Sequence, residues 1–333
     1  MGQVKAALLR PLRFLLRRWK LVAGVVALGF VLVNVLATRH AKAFLTYAPA
    51  GEAVVPPEQL STSQKLGLLF TGVSVPRPVN ASDPRSLGMP FETHRIELGT
   101  EWLELWHVPS EKPARGMVLL VPGYSASKSS LLPEAAAFRD MGFDVLLVDF
   151  RGVGGSSGSE TTLGVREAED VQAAVQFAEK RWPDRRIVLF GRSMGAAAVL
   201  RVVAHLDVKP VAIVIECPFD RMLNAVRNRF TALGVPSFPG AELLVFWGGR
   251  RLGFDGFAHN PAEYAAHVNC PALVLAGSAD TRATTHQVRE VFDRLNGPKR
   301  IRMFEGAGHE SFYARDTEAW DREVREFLAP LIP

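Results

Sequence analysis

Cysteine is nearly absent from this chain: Cys217 and Cys270 are the only two in 333 residues. Two thiols cannot build a disulfide framework, and their spacing matches no CxxC metal pattern. Each stands beside an apolar run and reads as a buried thiol, a single bridge being the alternative. The chain also lacks HExxH, a P-loop and any basic tract interleaved with aromatics. No metal, nucleotide or nucleic-acid partner is therefore expected. No internal repeat or low-complexity tract is present, and only one uncharged stretch approaches membrane-spanning length.

Acidic residues are missing from the first twenty positions, which carry Lys5, Arg10, Arg13, Arg17, Arg18 and Lys20. Removing these six cations from the formal total of +5 leaves about −1 for the rest, so the basic balance is local. The basic segment, residues 1–20, runs into "LVAGVVALGFVLVNVLA", in which Asn34 is the sole polar side chain. With Trp19 in front this is long enough to cross a bilayer as a helix. Residues 21–41 are read as an uncleaved signal-anchor with a cytoplasmic N-terminus and everything after it across the membrane, periplasmic or extracellular. A cleaved signal peptide ending at Ala41-Lys42-Ala43 is the competing reading, but the apolar run exceeds the usual h-region.

The chain as a whole has ordinary globular composition, 48% hydrophobic and 22% charged, enough for one large domain. Residues 42–91, rich in Pro, Ser and Gly, read as a tether and lead-in. From residue 92 the pattern changes. "HRIELG" and "EWLELWHV" alternate as an antiparallel hairpin. Then come short buried-type apolar runs at Gly116–Val121, Phe143–Phe150, Arg186–Phe190, Val211–Glu216, Ala272–Gly277 and Arg300–Phe304, with helical stretches at Val165–Trp182, Met194–Leu206 and near Thr284–Leu295. Such alternation predicts a mostly parallel sheet covered on both faces, an α/β fold. The interval from about 218 to 267 breaks the pattern and holds Phe219, Phe230, Phe238, Phe246, Trp247, Phe254 and Phe257 together with Arg227, Arg229, Arg250 and Arg251. It is too long for a structureless loop and reads as a small helical cap.

Chemistry concentrates at "LFGRSMGAAA". Ser193 follows an apolar strand and precedes a helix of small residues, and Gly191 and Gly195 are placed where a Cβ would strike the adjoining backbone. The turn aims the N-terminus of the following helix at a reacting carbonyl. A serine nucleophile needs a base and the base an orienting acid. His309, in "GAGHESF", and Asp280, in "GSADTR", lie just beyond successive strands and supply them; Asp220 and Glu310 are the alternative acids. The Tyr124 N–H, after Pro122-Gly123, and the Met194 N–H are the expected oxyanion donors.

Together "VLLVPGY", "VDFRGVGGSSG", "GRSMGA", "GSAD" and "GAGH", with the order Ser193, Asp280, His309, resemble the α/β-hydrolase superfamily in its serine-dependent esterase, lipase and peptidase branch, over roughly Glu92 to Pro333. The resemblance implies an eight-stranded, mostly parallel sheet, a Ser-His-Asp triad and no cofactor, and gives Asp149 and Arg151 a structural role. The reading is a membrane-anchored hydrolase of a small-molecule or lipid carboxylic ester, with an aminopeptidase, an acyltransferase or a catalytically silent scaffold as alternatives. Phe246 and Trp247 are expected to line an apolar acyl site, their other role being the cap's own core. No expected catalytic group precedes Gly123, so removal of residues 1–43 is expected to leave turnover unchanged.

Overall fold

A computed structural model describes residues 18–49, 67, 72–232 and 234–332. Lys5, Arg10, Arg13 and Arg17, and residues 50–66 and 68–71 of the tether, lie outside the described residues.

The expected sheet is present. Eight strands run β3 (Glu92–Leu98), β4 (Glu101–Val108), β5 (Met117–Val121), β6 (Asp144–Val148), β7 (Ile187–Arg192), β8 (Ala212–Glu216), β9 (Ala272–Gly277) and β10 (Lys299–Phe304), after a small pair, β1 (Tyr47–Ala48) and β2 (Val75–Pro76). Their order in space is β10-β9-β8-β7-β5-β6-β4-β3. All neighbours are parallel except β3 with β4 and β4 with β6. Helices on both faces bury the central strands completely, which is why they read as unbroken Val, Leu and Ile runs instead of alternating.

Those helices are α2 (Leu132–Asp140), α3 (Glu167–Arg181), α4 (Met194–His205), α7 (Pro261–Ala265), α8 (Thr285–Arg294), α9 (Phe312–Arg315) and α10 (Thr317–Leu328), the cap helices being α5 (Met222–Ala232) and α6 (Gly240–Leu252). Local chemistry sets their ends. In α3 Glu167, Glu169 and Asp170 occupy the first turn and Lys180 and Arg181 the last, complementing the helix dipole. Thr284 and Gln287 form a capping box that starts α8. Trp320 of α10 meets Phe138 of α2 and Phe190 of β7 edge to face, closing the core beneath the sheet's C-terminal edge.

The N-terminal helix departs from expectation. α1 runs from Trp19 to Leu45, beyond residue 41 and into the start of the tether. From Trp19 to Leu36 most of it is exposed, about 18 residues or roughly 27 Å at 1.5 Å per residue, close to the thickness of a bilayer's hydrocarbon core. From Ala37 onward it belongs to the domain. Ala37, Ala41 and Leu45 recur at helical spacing and are buried against the cap. Gly248 of α6 permits the approach, since a Cβ there would lie 2.8 Å from Leu45 Cδ1. Trp247 Nε1 donates to Asn34 Oδ1 at 3.0 Å, which partners the one polar side chain of the apolar run. The Leu45 carbonyl accepts from Thr161 N, and Arg251 donates to Thr46 Oγ1 while pairing with Glu160.

Candidate active site

Ser193 stands at the sharp turn between β7 and α4, with φ 52° and ψ −110°. Strain of this kind persists only where the surroundings enforce it, and here the flanking glycines are obligatory. A Cβ on Gly191 would lie 2.5 Å from Gly195 O, and one on Gly195 would lie 2.6 Å from both Pro122 O and Val121 O. The Ser193 N–H donates to Glu216 O at 2.8 Å, fixing the turn to β8.

The loops after β9 and β10 bring the other two residues to it. His309 Nε2 is 2.9 Å from Ser193 Oγ, and His309 Nδ1 is 2.7 Å from Asp280 Oδ2. A carboxylate only accepts, so Nδ1 carries the imidazole proton and Nε2 is left to accept from the serine hydroxyl. Asp280 Oδ1 accepts from the backbone N–H groups of Arg282 at 2.7 Å and Ala283 at 2.9 Å. Burial alone would raise the Asp280 carboxyl, but the bond and charge of His309 and these two N–H groups outweigh it and hold it below its ordinary value. Asp220 and Glu310 do not reach the imidazole. Asp220 accepts from Asn224 within α5, and Glu310 from Gly308 N.

Met194 is the first residue of α4, so its N–H has no partner inside the helix. Gly123 lies beside it: a Cβ there would be 3.5 Å from Ser193 Cβ, contact without a backbone clash, so this glycine keeps the space in front of the serine open. The loop that comes next is braced by α1 and β1. Tyr124 Oη donates to Phe44 O at 2.7 Å and its ring stacks on Phe44, while Ser125 N donates to Tyr47 Oη at 3.2 Å. Residues 44–47 thus brace the loop that carries Tyr124, although no catalytic group lies among them.

Beneath the serine lies a buried ionic cluster that sequence reading missed. Arg192 donates to Glu216 at 2.7 Å and to Glu134; Ser311 Oγ donates to Glu134 at 2.6 Å, and Trp320 Nε1 to Glu216 at 2.7 Å. Burial alone would lower the Arg192 pKa, but the two carboxylates outweigh it and keep the guanidinium charged. The cluster ties the Ser193 turn to α2, α10 and the His309 loop at once. The only hint in sequence is an arginine beside the serine and a glutamate ending a buried strand. Asp149 proves structural as expected: it accepts from Lys128 and from the Gly155 N–H, and Lys128 is fully buried between Asp149 and Glu104. Arg151 likewise pairs with Asp170, Glu101 and Glu169.

Both cysteines are free. The Cys217 thiol is buried beside Asp280, and burial, then the charges of Asp280 and Glu216, push its pKa well up, so it remains protonated. Donors of metal-binding type also meet at Glu92, His94 and His107, four strands away at the opposite edge of the sheet, where both imidazoles pack on Trp182.

Ser193 lines the first of two connected spaces. A small pocket is lined by Ser193, His309, Phe219, Met222, Arg229 and Arg282 among others, with no carboxylate in its lining. A larger apolar cavity of about 630 Å³ continues from it under the cap. Phe230 and Phe254 line this cavity, but Phe246 and Trp247 do not. Trp247 turns to Asn34 of α1 and Phe246 is 49% exposed, so the expectation for this pair is corrected.

Residues 112–245 match a family model described as serine aminopeptidase, S33. The chain is 29% identical over 227 residues to an uncharacterized protein of Mycobacterium tuberculosis, covering 67% of this chain and 73% of that one. It is 23% identical over 204 residues to the rat lysophosphatidylserine lipase ABHD12, covering 58% of this chain and 50% of the lipase. Among solved structures, an esterase from Pyrococcus furiosus superposes with a TM-score of 0.65 at 24% identity, covering 78% of this chain and 97% of the esterase. With this strand order and these similarities, the chain has the α/β-hydrolase fold.

Proposed function

We propose that the protein is a serine hydrolase that cleaves a carboxylic ester through Ser193, His309 and Asp280. The observation that carries this reading is the unbroken hydrogen-bonded chain from Ser193 Oγ through both imidazole nitrogens to a carboxylate. In the reaction His309 Nε2 takes the Ser193 proton as Oγ attacks the carbonyl carbon. The Tyr124 and Met194 N–H groups serve the developing oxyanion. The ester C–O bond breaks and the departing alkoxide takes the proton from His309. Water, deprotonated by the same imidazole, then releases the acyl group as a carboxylic acid. Asp280 keeps the imidazole in the productive tautomer and stabilises its cationic form.

An ester is favoured over a peptide N-terminus by the electrostatics of the pocket. A substrate α-ammonium requires an anion to receive it, whereas the lining offers Arg229 and Arg282 and no carboxylate. Esterase and lipase names among the relatives agree. Purified protein is expected to turn over p-nitrophenyl butyrate and leave leucine p-nitroanilide intact; faster release from the anilide would replace this reading with the aminopeptidase.

The α1 helix serves as a retained anchor, with a cytoplasmic N-terminus and the domain on the other side of the membrane. It is the one described helix long and apolar enough to cross a bilayer, and its last turns are built into the domain, where cleavage after Ala43 would leave Phe44 and Leu45 without their helix. Retention in the membrane pellet after a carbonate wash is expected, and release by that wash would overturn the anchor. Added protease is expected to digest the domain in intact cells stripped of their wall; digestion only after lysis would reverse the orientation.

A further inference from the structure

The apolar cavity under the cap has an unusual wall. One side is made by the last turns of α1, with His40, Ala41, Phe44 and Leu45, and the facing side by the cap, with Phe230 and Leu244. Its volume of about 630 Å³ falls within the ~300–1,000 Å³ of small-molecule sites. It merges with the Ser193 pocket, since Phe44, Tyr124, Met222 and Val226 line both spaces. Val73 and Val235 line it while 53% and 46% exposed, so its rim is apolar as well. Exposed apolar rims of this kind mark contact with another apolar phase. The helix that walls the cavity is the same one whose preceding turns present an uncharged, exposed surface of membrane-spanning length. The apolar surface of α1 and the wall of the cavity thus belong to one continuous helix.

Where the two spaces join there is uncompensated positive charge. The Arg229 guanidinium lies over the rings of Phe44, at 4.7 Å, and Tyr124, at 5.1 Å. Among the described residues it has no carboxylate partner, and neither does Arg282, which lines the same two spaces. Burial, and to a lesser degree Arg282, push the Arg229 pKa down. A half-buried cation such as Arg229 is unfavourable without a counter-ion unless a ligand supplies one, and with the exposed Arg282 beside it the pair suits a phosphate or carboxylate of the substrate.

We infer that the substrate is a long-chain acyl ester of the membrane that carries an anionic group near the scissile bond: its acyl chain lies in the cavity between α1 and the cap, and Arg229 and Arg282 receive the anion. This rests on the ester-hydrolase reading and narrows it to a substrate class.

The test is a two-by-two panel given to the full-length protein in detergent micelles: butyryl or palmitoyl esters of glycerol, and the same two acyl groups on glycerol phosphate. Both palmitoyl lengthening and phosphate are expected to raise kcat/KM, each by roughly tenfold. Leu244→Trp, which fills the cavity, should shrink the palmitoyl-to-butyryl ratio about tenfold; Arg229→Gln and, as an exposed site with little effect on folding, Arg282→Gln should each shrink the phosphate-to-glycerol ratio about threefold or more. Inorganic phosphate added to the butyryl glycerol assay separates a site for any phosphate from one read only on a lipid: inhibition at millimolar levels, with no gain from lipid phosphate, overturns the proposal. Chain-length or phosphate ratios near one in the wild type, or ratios unmoved by these substitutions, also overturn it. If Ser193→Ala abolishes butyryl glycerol hydrolysis while the ratios stay near one, only the substrate class has failed. If Ser193→Ala retains activity, the hydrolase reading itself has failed.

Discussion

At the C-terminal edge of the sheet, Ser193, Asp280 and His309 stand on the turn or loop that follows β7, β9 and β10, and every side-chain polar atom of Asp280 and His309 has a partner. Under the cap, adjoining it, α1, α5 and α6 enclose an apolar space whose neck carries arginines with no carboxylate partner among the described residues. The first region is held by hydrogen bonds and buried ion pairs, which fix atoms to within fractions of an ångström. The second is held by side-chain packing between elements far apart in sequence, which fixes a shape and leaves room for a guest. Reaction and selection are thus assigned to different kinds of contact.

The largest expected effect breaks the first region alone. Ser193→Ala should lower kcat/KM on p-nitrophenyl butyrate by at least about a thousandfold with an unchanged melting temperature, because only the attacking oxygen is lost. Asp280→Asn should cost nearly as much, on the order of a hundredfold to ten-thousandfold, since the amide permits the wrong imidazole tautomer. Asp220→Asn and Glu310→Gln should each stay within about threefold of wild type; a larger loss at Asp220 would move the acid to the loop after β8.

A cut between the two regions sharpens the comparison. Removing residues 1–43 takes away the cavity wall and the helix that presents Phe44 to Tyr124. Turnover of p-nitrophenyl butyrate should fall roughly tenfold, as expected for a displaced oxyanion donor. Full activity in this truncated protein would show that α1 is a tether only.

Smaller effects test how the cap is seated. Its base carries His259, which is fully buried: Nε2 donates to Leu163 O, and Nδ1 faces Tyr264 Oη. Burial pushes this imidazole down to about 3. The unfolded chain binds a proton near the ordinary value of ~6.5 while the native state does not, so stability falls as pH drops from about 6.5 toward 3. His259→Gln should be less stable than wild type at pH 7 yet lose less on acidification, read from urea midpoints at both ends of that range. Trp247→Phe removes the bond to Asn34 and should cost about 1 kcal/mol, measured in detergent.

Legibility in the sequence divides along the same line. The strands, the serine turn, the glycines and the positions of the acid and base come from local pattern: an apolar run ends, and a residue of suitable chemistry stands next. β9 coincides with its expected span, and the other central strands differ by one or two residues at their ends. The contacts that shape the cap are not local. Asn34 and Trp247 are 213 residues apart, and neither neighbourhood records the other. The same holds for Glu134, Arg192 and Ser311, drawn from α2, the end of β7 and the loop before α9 into one cluster. Periodicity predicts that α1 is apolar on every face, and so cannot reveal that Ala37, Ala41 and Leu45 form a separate face committed to the domain. Phe246 and Trp247 illustrate the converse: aromatic content identifies a cap, while which ring turns inward depends on a partner helix about two hundred residues earlier.

The account depends first on Ser193 acting as the nucleophile. The most direct measurement is mass spectrometry of the full-length protein after exposure to a fluorophosphonate ester, with digestion and sequencing of the labelled peptide. The account predicts a single phosphonyl adduct on Ser193, formed in step with loss of ester hydrolysis and absent from the His309→Ala variant over the same time. Hydrolysis that survives complete labelling of Ser193, or an adduct on another residue that tracks the lost activity, would contradict it.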